Sequence, residues 1–241
     1  MTRDGTFAGL TPNRVAAFVF LAFGVLLAAS VVQDIILYSA SPGAPANKIW
    51  LFDVDVERSL YTWLSSIVLY TIAGLLILLG LRARADGQRY SSHWLLLGFV
   101  FILLSADEAV SIHEKISGIL TNLLDTSGVF YFAWTIPALI LVGAGFVFYV
   151  PFLLSLPRRV SVVMVVSAAI YIAGAIGMEL VAGGYVQDSG VQTLGYRALA
   201  NLEEALEGIG LAIFLWCLLR LAFGTFPQPA RASGPVWAVT S

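Results

Sequence analysis

The sequence predicts an all-α integral membrane protein: six transmembrane helices in one domain spanning residues 1–241, with both termini cytoplasmic. Three observations carry this expectation. Of the 241 residues 59% are hydrophobic and only 12% charged, with a mean hydropathy of +0.88, whereas soluble domains carry about 25% charged residues. Six apolar runs, near 15–39, 59–82, 93–117, 129–156, 160–183 and 197–223, are each long enough for a hydrocarbon core that takes about 20 helical residues to cross. Six spans put both termini on one side, with Arg3, Arg14, Arg82, Arg84, Arg89, Arg158, Arg159, Arg220 and Arg231. The other side holds only Lys48, Arg58, Lys115 and Arg197. Positive charge collects on the cytoplasmic face.

The remaining composition narrows the function classes. A net charge of −2 without a basic, aromatic-interleaved patch argues against a nucleic-acid partner. Membrane lipids and cations or protons are the expected partners, and a homo-oligomer or larger membrane complex stays open. Cys217 is the only cysteine, which excludes an internal disulfide and a thiolate zinc cluster. It reads as a small buried residue. The first apolar run is too long for a signal peptide, so the first helix is expected to be retained.

The first and second spans are joined by residues 41–58, irregular at first and then amphipathic, with Asp53, Asp55 and Glu57 two apart. This segment is expected on the outer surface as a cover. The third span carries Ser105-Ala-Asp-Glu-Ala-Val-Ser-Ile-His-Glu-Lys115, which sets Asp107, Glu108, His113 and Glu114 in an otherwise apolar helix. Each such group is expensive, about 2.5–3.5 kcal/mol for an Asp near a helix centre. Glu179 lies late in the fifth span, before a glycine-containing loop, 183–196, expected to be flexible. Gly174 and Gly177 read as sites of close helix packing. The sixth span opens with Arg197 and carries Glu203, Glu204 and Glu207.

Alternating span direction places all these acids in the outer half. At 1.5 Å per residue, Glu203 sits about 9 Å below the outer boundary. Helical spacing sets Asp107, Ser111 and Glu114 on one face and turns His113 toward another helix. Asp107 is expected to approach Glu207. Asp34, a turn from the end of the first span, reads as a supporting residue. Glu114, Lys115 and Glu179 are close enough to helix ends to reach water, and His93 reads as an interfacial anchor.

Seven carboxylates (Asp107, Glu108, Glu114, Glu179, Glu203, Glu204, Glu207) thus face three nearby bases, His113, Lys115 and Arg197. Crowded ionised carboxylates repel strongly in low dielectric. Either several keep their protons or a bound cation compensates them. The candidate ligands are Asp107, Glu108, His113, Glu114, Glu179, Glu203, Glu204 and Glu207. A carboxylate set with one imidazole suits a divalent Mn, Fe, Mg or Ca ion, with Zn less well served. The Glu-x-x-His pairs of helix-bundle metal sites are absent.

The Asp-Glu-x4-His-Glu stretch, with the later Glu-Glu-x-x-Glu, resembles a group of uncharacterised bacterial multi-span membrane proteins, which implies a bacterial inner-membrane location and no particular activity. Ser105 and Asp107 also faintly resemble part of the pattern of alkaline-ceramidase-like membrane hydrolases, whose terminal His-x-x-x-His this chain lacks. The expected function is an outward-facing cation site, metal or proton, in ion transport or sensing. The alternatives are an intramembrane metalloenzyme acting on a lipid or quinone-like substrate, and an accessory subunit of a membrane complex.

Overall fold

The computed structural model describes residues 11–40 and 47–224. Helices α1 (Pro12–Ala40), α2 (Leu60–Ala85), α3 (Ser91–Val110), α4 (Ile112–Leu124), α5 (Thr135–Ser155), α6 (Arg158–Ile172), α7 (Glu179–Ser189) and α8 (Leu194–Ala222) succeed one another, with no strand among the described residues. A π-helical segment, Ala173–Met178, joins α6 to α7, so that 158–189 is one continuous span. Six helices are long and apolar enough to cross a membrane. Arg3 and Arg231, and residues 41–46 of the expected cover, lie outside the described residues.

Local chemistry sets several boundaries. Pro12 occupies the first position of α1, where its missing N–H is no loss. The Ser59 side chain caps α2 by accepting from the Thr62 N–H, and Thr193 caps α8 by accepting from the Tyr196 N–H at 3.1 Å. Arg82 and Arg84 complement the carboxyl end of α2. Asp86-Gly87, with Gly87 at φ +66°, then turns the chain tightly into α3, which packs along the length of α2.

Helix α8 is the axis. It packs on α1, α2, α6 and the π segment and buries Leu211, Ala212, Leu215, Cys217 and Leu218 against a core that includes Ile72 and Leu76. Cys217 is thus the small buried residue expected. Close approach needs Gly210, where an added Cβ would fall 2.8 Å from the Tyr171 nitrogen and 2.9 Å from the Ser167 carbonyl oxygen. At Gly174 it would fall 2.8 Å from the Glu203 carbonyl oxygen. Gly177 has no such neighbour, only Ile172 O at 3.9 Å, so the packing role belongs to Gly174. Helix α5 is peripheral, and Ile140, Leu141, Val147 and Leu154 on it are exposed, as suits a lipid-facing surface.

Two expectations fail. The third span does not run to 117: it ends at Val110, and Ser111 takes the left-handed conformation (φ 54°, ψ 51°) before α4 starts in a new direction. Asp107 drives the break by accepting the His113 N–H at 2.7 Å, so its carboxylate caps α4 and satisfies a donor with no intrahelical acceptor. The second failure is the 183–196 loop. It is helical to Ser189, and only residues 190–193 connect α7 to α8.

Gly210→Val should lower the melting temperature in detergent, since overpacking costs about 1–3 kcal/mol. Gly143→Ala, where nothing lies within 4 Å of the added methyl, should leave it unchanged or slightly higher.

Candidate functional site

The charges sort into two groups. The first surrounds Arg197, whose side chain is only 3% exposed. Its Nε–H donates to both Asp34 oxygens at 3.1 Å, Nη1 to Asp55 and Nη2 to Asp53. Lys48 adds ion pairs to Asp34 at 3.2 Å and Asp53 at 2.5 Å. The Asn201 amide donates to Asp34, and the Tyr196 hydroxyl donates to Asp55 at 3.1 Å. Burial, ahead of the neighbouring Asp53 charge, pushes the Asp55 carboxyl above its ordinary range against the pull of Arg197. Three carboxylates and two cations therefore compensate one another. Asp34, expected only as a supporting residue, anchors this group. Arg197, expected near the helix end as a base for the glutamates, is committed elsewhere.

The second group is the acid cluster. Because α4 turns away at Ser111, His113 folds back toward Asp107 rather than toward another helix, and its Nδ1 lies 3.0 Å from Asp107 Oδ2. Its Nε2 lies 3.7 Å from Glu57 of the 47–59 connection. The same turn removes Glu114 from the Asp107 face and leaves it exposed. Glu179 is buried, not in water, and accepts the Trp134 indole N–H at 2.5 Å, while the Trp134 ring stands 5.1 Å from the His113 ring. On α8, Glu203, Glu204 and Glu207 are half-buried. The Tyr61 hydroxyl donates to the Glu204 carbonyl, and Tyr171 to the Glu207 carboxylate. Glu207, followed by Glu57, is the charge that acts most on Glu108. Glu203 in turn has Glu179, Glu207, Asp55 and Glu57 around it.

Glu57 thus joins the cluster from the connection, and the exposed Glu114 is still the first carboxylate acting on it. The pattern Asp53-x-Asp55-x-Glu57 was its visible signal, but only the fold carries it to the cluster. One of its oxygens, Oε2, is buried without a hydrogen-bond partner. Burial, then repulsion by Glu114, Asp107 and Asp55, lifts its carboxyl to about 7 although His113 pulls it down. For His113 burial acts downward, but the hydrogen bond and charge of Asp107, with Glu57 and Glu179, raise it to about 9. Trp134, Tyr61 and Tyr171 carried no sequence signal beyond being aromatic.

Seven carboxylates (Glu57, Asp107, Glu108, Glu179, Glu203, Glu204, Glu207) share this cluster with one imidazole, and Asp107, Glu57 and Glu179 are the ones that act most on it. Among the described residues, no three His, Cys, Asp or Glu side chains converge closely enough to hold a metal ion. Ser105 donates to the Ser66 carbonyl at 2.9 Å, a structural use of its hydroxyl. His93 stacks on Phe148, centroids 4.7 Å apart, and on Phe152, locking α3 to α5 far from the cluster.

A family described as Domain of unknown function (DUF8692) matches residues 20–223, which include every side chain of both charge groups. The chain belongs to this family. No curated protein and no solved structure matches the sequence. The matched segment runs from within α1 to just past the end of α8 and so covers both the Arg197 group and the acid cluster.

Replacing Arg197 with Gln leaves Asp34, Asp53 and Asp55 with Lys48 alone. Removing one partner of a buried pair costs about 3–5 kcal/mol, and the melting temperature should fall accordingly. Arg197→Lys should recover little of it, because one ammonium cannot reproduce the guanidinium fork.

Proposed function

We propose that the protein binds protons in a carboxylate cluster open to the outer face of the membrane, and that it acts in ion transport or sensing. The observation that carries this reading is a cluster of seven carboxylates that holds a single imidazole, His113, beside two cations, Arg197 and Lys48, that are already paired. So many ionised groups at bilayer depth require compensation. The spread of the carboxylates, with no metal-capable trio among the described residues, favours protons over a divalent ion. Protons need no convergent ligand geometry; each carboxyl can be neutralised where it stands. The distribution of arginines supports cytoplasmic termini, which turns the cluster outward. A reporter that is active only outside the cytoplasm, fused at residue 241, should be silent; activity there would reverse the orientation.

Stability should then fall as pH rises. Glu57 and His113 both hold their protons more tightly in the folded chain, at about 7 and about 9, than at their ordinary values of 4.5 and 6.5. The folded state therefore binds more protons than the unfolded one, and stability declines with pH across that range. The Glu57 contribution is complete below pH 4.5 and lost as pH passes 7; that of His113 is complete below 6.5 and lost through 9. Glu57→Gln should flatten the lower part of the curve, and Glu203→Gln should raise the melting temperature at pH 8 by relieving repulsion. A divalent chelator should leave both curves unmoved. Chelator-dependent melting, with loss of stability in Glu203→Gln, would replace the proton reading with a metal one.

A further inference from the structure

The connection 47–59 between α1 and α2 is fixed in an unusual way. Of its hydrophobic side chains only Val54 is buried, while Ile49, Trp50 and Phe52 are exposed. Leu51 and Val56 are half-buried, so apolar packing alone does not fix the segment. It is held by polar contacts to α1 and α8: Asp53 and Asp55 to Arg197, Lys48 to Asp34, the Ile49 N–H to Gln33 Oε1 at 2.8 Å, and the Val54 N–H to Ser30 at 3.4 Å. Its far end brings Glu57 against His113, and Asp55 and Glu57 both stand among the charges around Glu203. The segment thus crosses from the Arg197 group to the acid cluster.

We infer that residues 47–59 form a cap over the outer mouth of the carboxylate cluster, and that the ion pairs of Arg197 with Asp53 and Asp55 are the latch that keeps it shut. The latch joins charges on a short connection to a guanidinium fixed on α8. Asp34 keeps its ion pair with Nε when the cap leaves, while the Nη1 and Nη2 donors released from Asp55 and Asp53 pass to entering water. An apolar seal would re-form wherever it landed, whereas this arrangement releases and re-engages at a defined geometry. The inference takes from the proposed function only the outward direction of the cluster, and it holds for any small cation that uses the site.

The test is thiol labelling in intact cells with a membrane-impermeant methanethiosulfonate. Glu203→Cys supplies the probe; the only native thiol, Cys217, is fully buried. With the cap intact, labelling should be at least tenfold slower than at Gln187→Cys, an exposed position on α7. Asp53→Asn with Asp55→Asn opens the latch while Arg197 keeps Asp34, and should speed labelling at Glu203→Cys at least tenfold. Gln33→Ala removes only the contacts to Ile49 and should speed it severalfold without lowering the melting temperature much. Rates unchanged in both backgrounds, or a Glu203→Cys rate already equal to that at Gln187→Cys, would overturn the cap. Labelling solely from the cytoplasmic side of inverted vesicles would instead overturn the outward orientation. Hydrogen exchange at the Val54 and Asp55 amides should quicken with the latch variants, separating cap release from general unfolding, which would also expose α8.

Discussion

The contact of Arg197 with Asp34, Asp53 and Asp55 is the constraint on which this end of the bundle depends. A guanidinium this deeply buried is tolerable only with its donors satisfied, and here the planar fork is divided among acids of α1 and the connection. This fixes the angle between α1 and α8, orients the connection, and through it places Glu57. The same commitment withdraws the strongest nearby cation from the glutamates of α8. The acid cluster is electrostatically exposed because the neighbouring group is electrostatically closed.

Irregular backbone recurs at the cluster. Ser111 adopts a left-handed conformation, which for a residue with a Cβ costs about 1–2 kcal/mol, and the π segment carries one loosened turn beside Glu203 and Glu207. Each departure delivers a side chain that a straight helix would misdirect. The turn at Ser111 brings His113 back to Asp107, and the π segment sets Gly174 against the α8 backbone and Glu179 toward Trp134. Local strain of this kind persists where surrounding contacts over-determine it, and here the surrounding contacts are those of the charged groups.

The six long apolar helices were legible because length and apolarity suffice to mark a candidate span, and the common level of the acids along the bundle followed from alternating direction alone. What was not legible depended on side chains overriding periodicity. Nothing in the spacing of Asp107 and His113 distinguishes a continuous helix from one broken by a carboxylate that caps the next, so His113 was turned away from its partner. Glu57 was seen as part of an acidic connection, yet its approach to His113 depends on Arg197 reaching across 142 positions to Asp55. The fate of Arg197 itself was hidden for the same reason: a basic residue at a helix end ordinarily faces water, and only the assembled neighbours make burial tolerable.

The distance in sequence between Asp34 and Arg197, 163 residues, also has a meaning in time. A ribosome adding about 5–20 residues per second delivers α8 roughly 10–30 s after α1 has left the exit tunnel. Throughout that interval Asp34 is without its final partner. Lys48 emerges only fourteen residues behind it and already pairs with Asp34 in the finished fold. It can therefore serve as a placeholder during synthesis, neutralising the nascent first hairpin until the last helix arrives, and the order of translation becomes part of how the bundle avoids an orphaned charge.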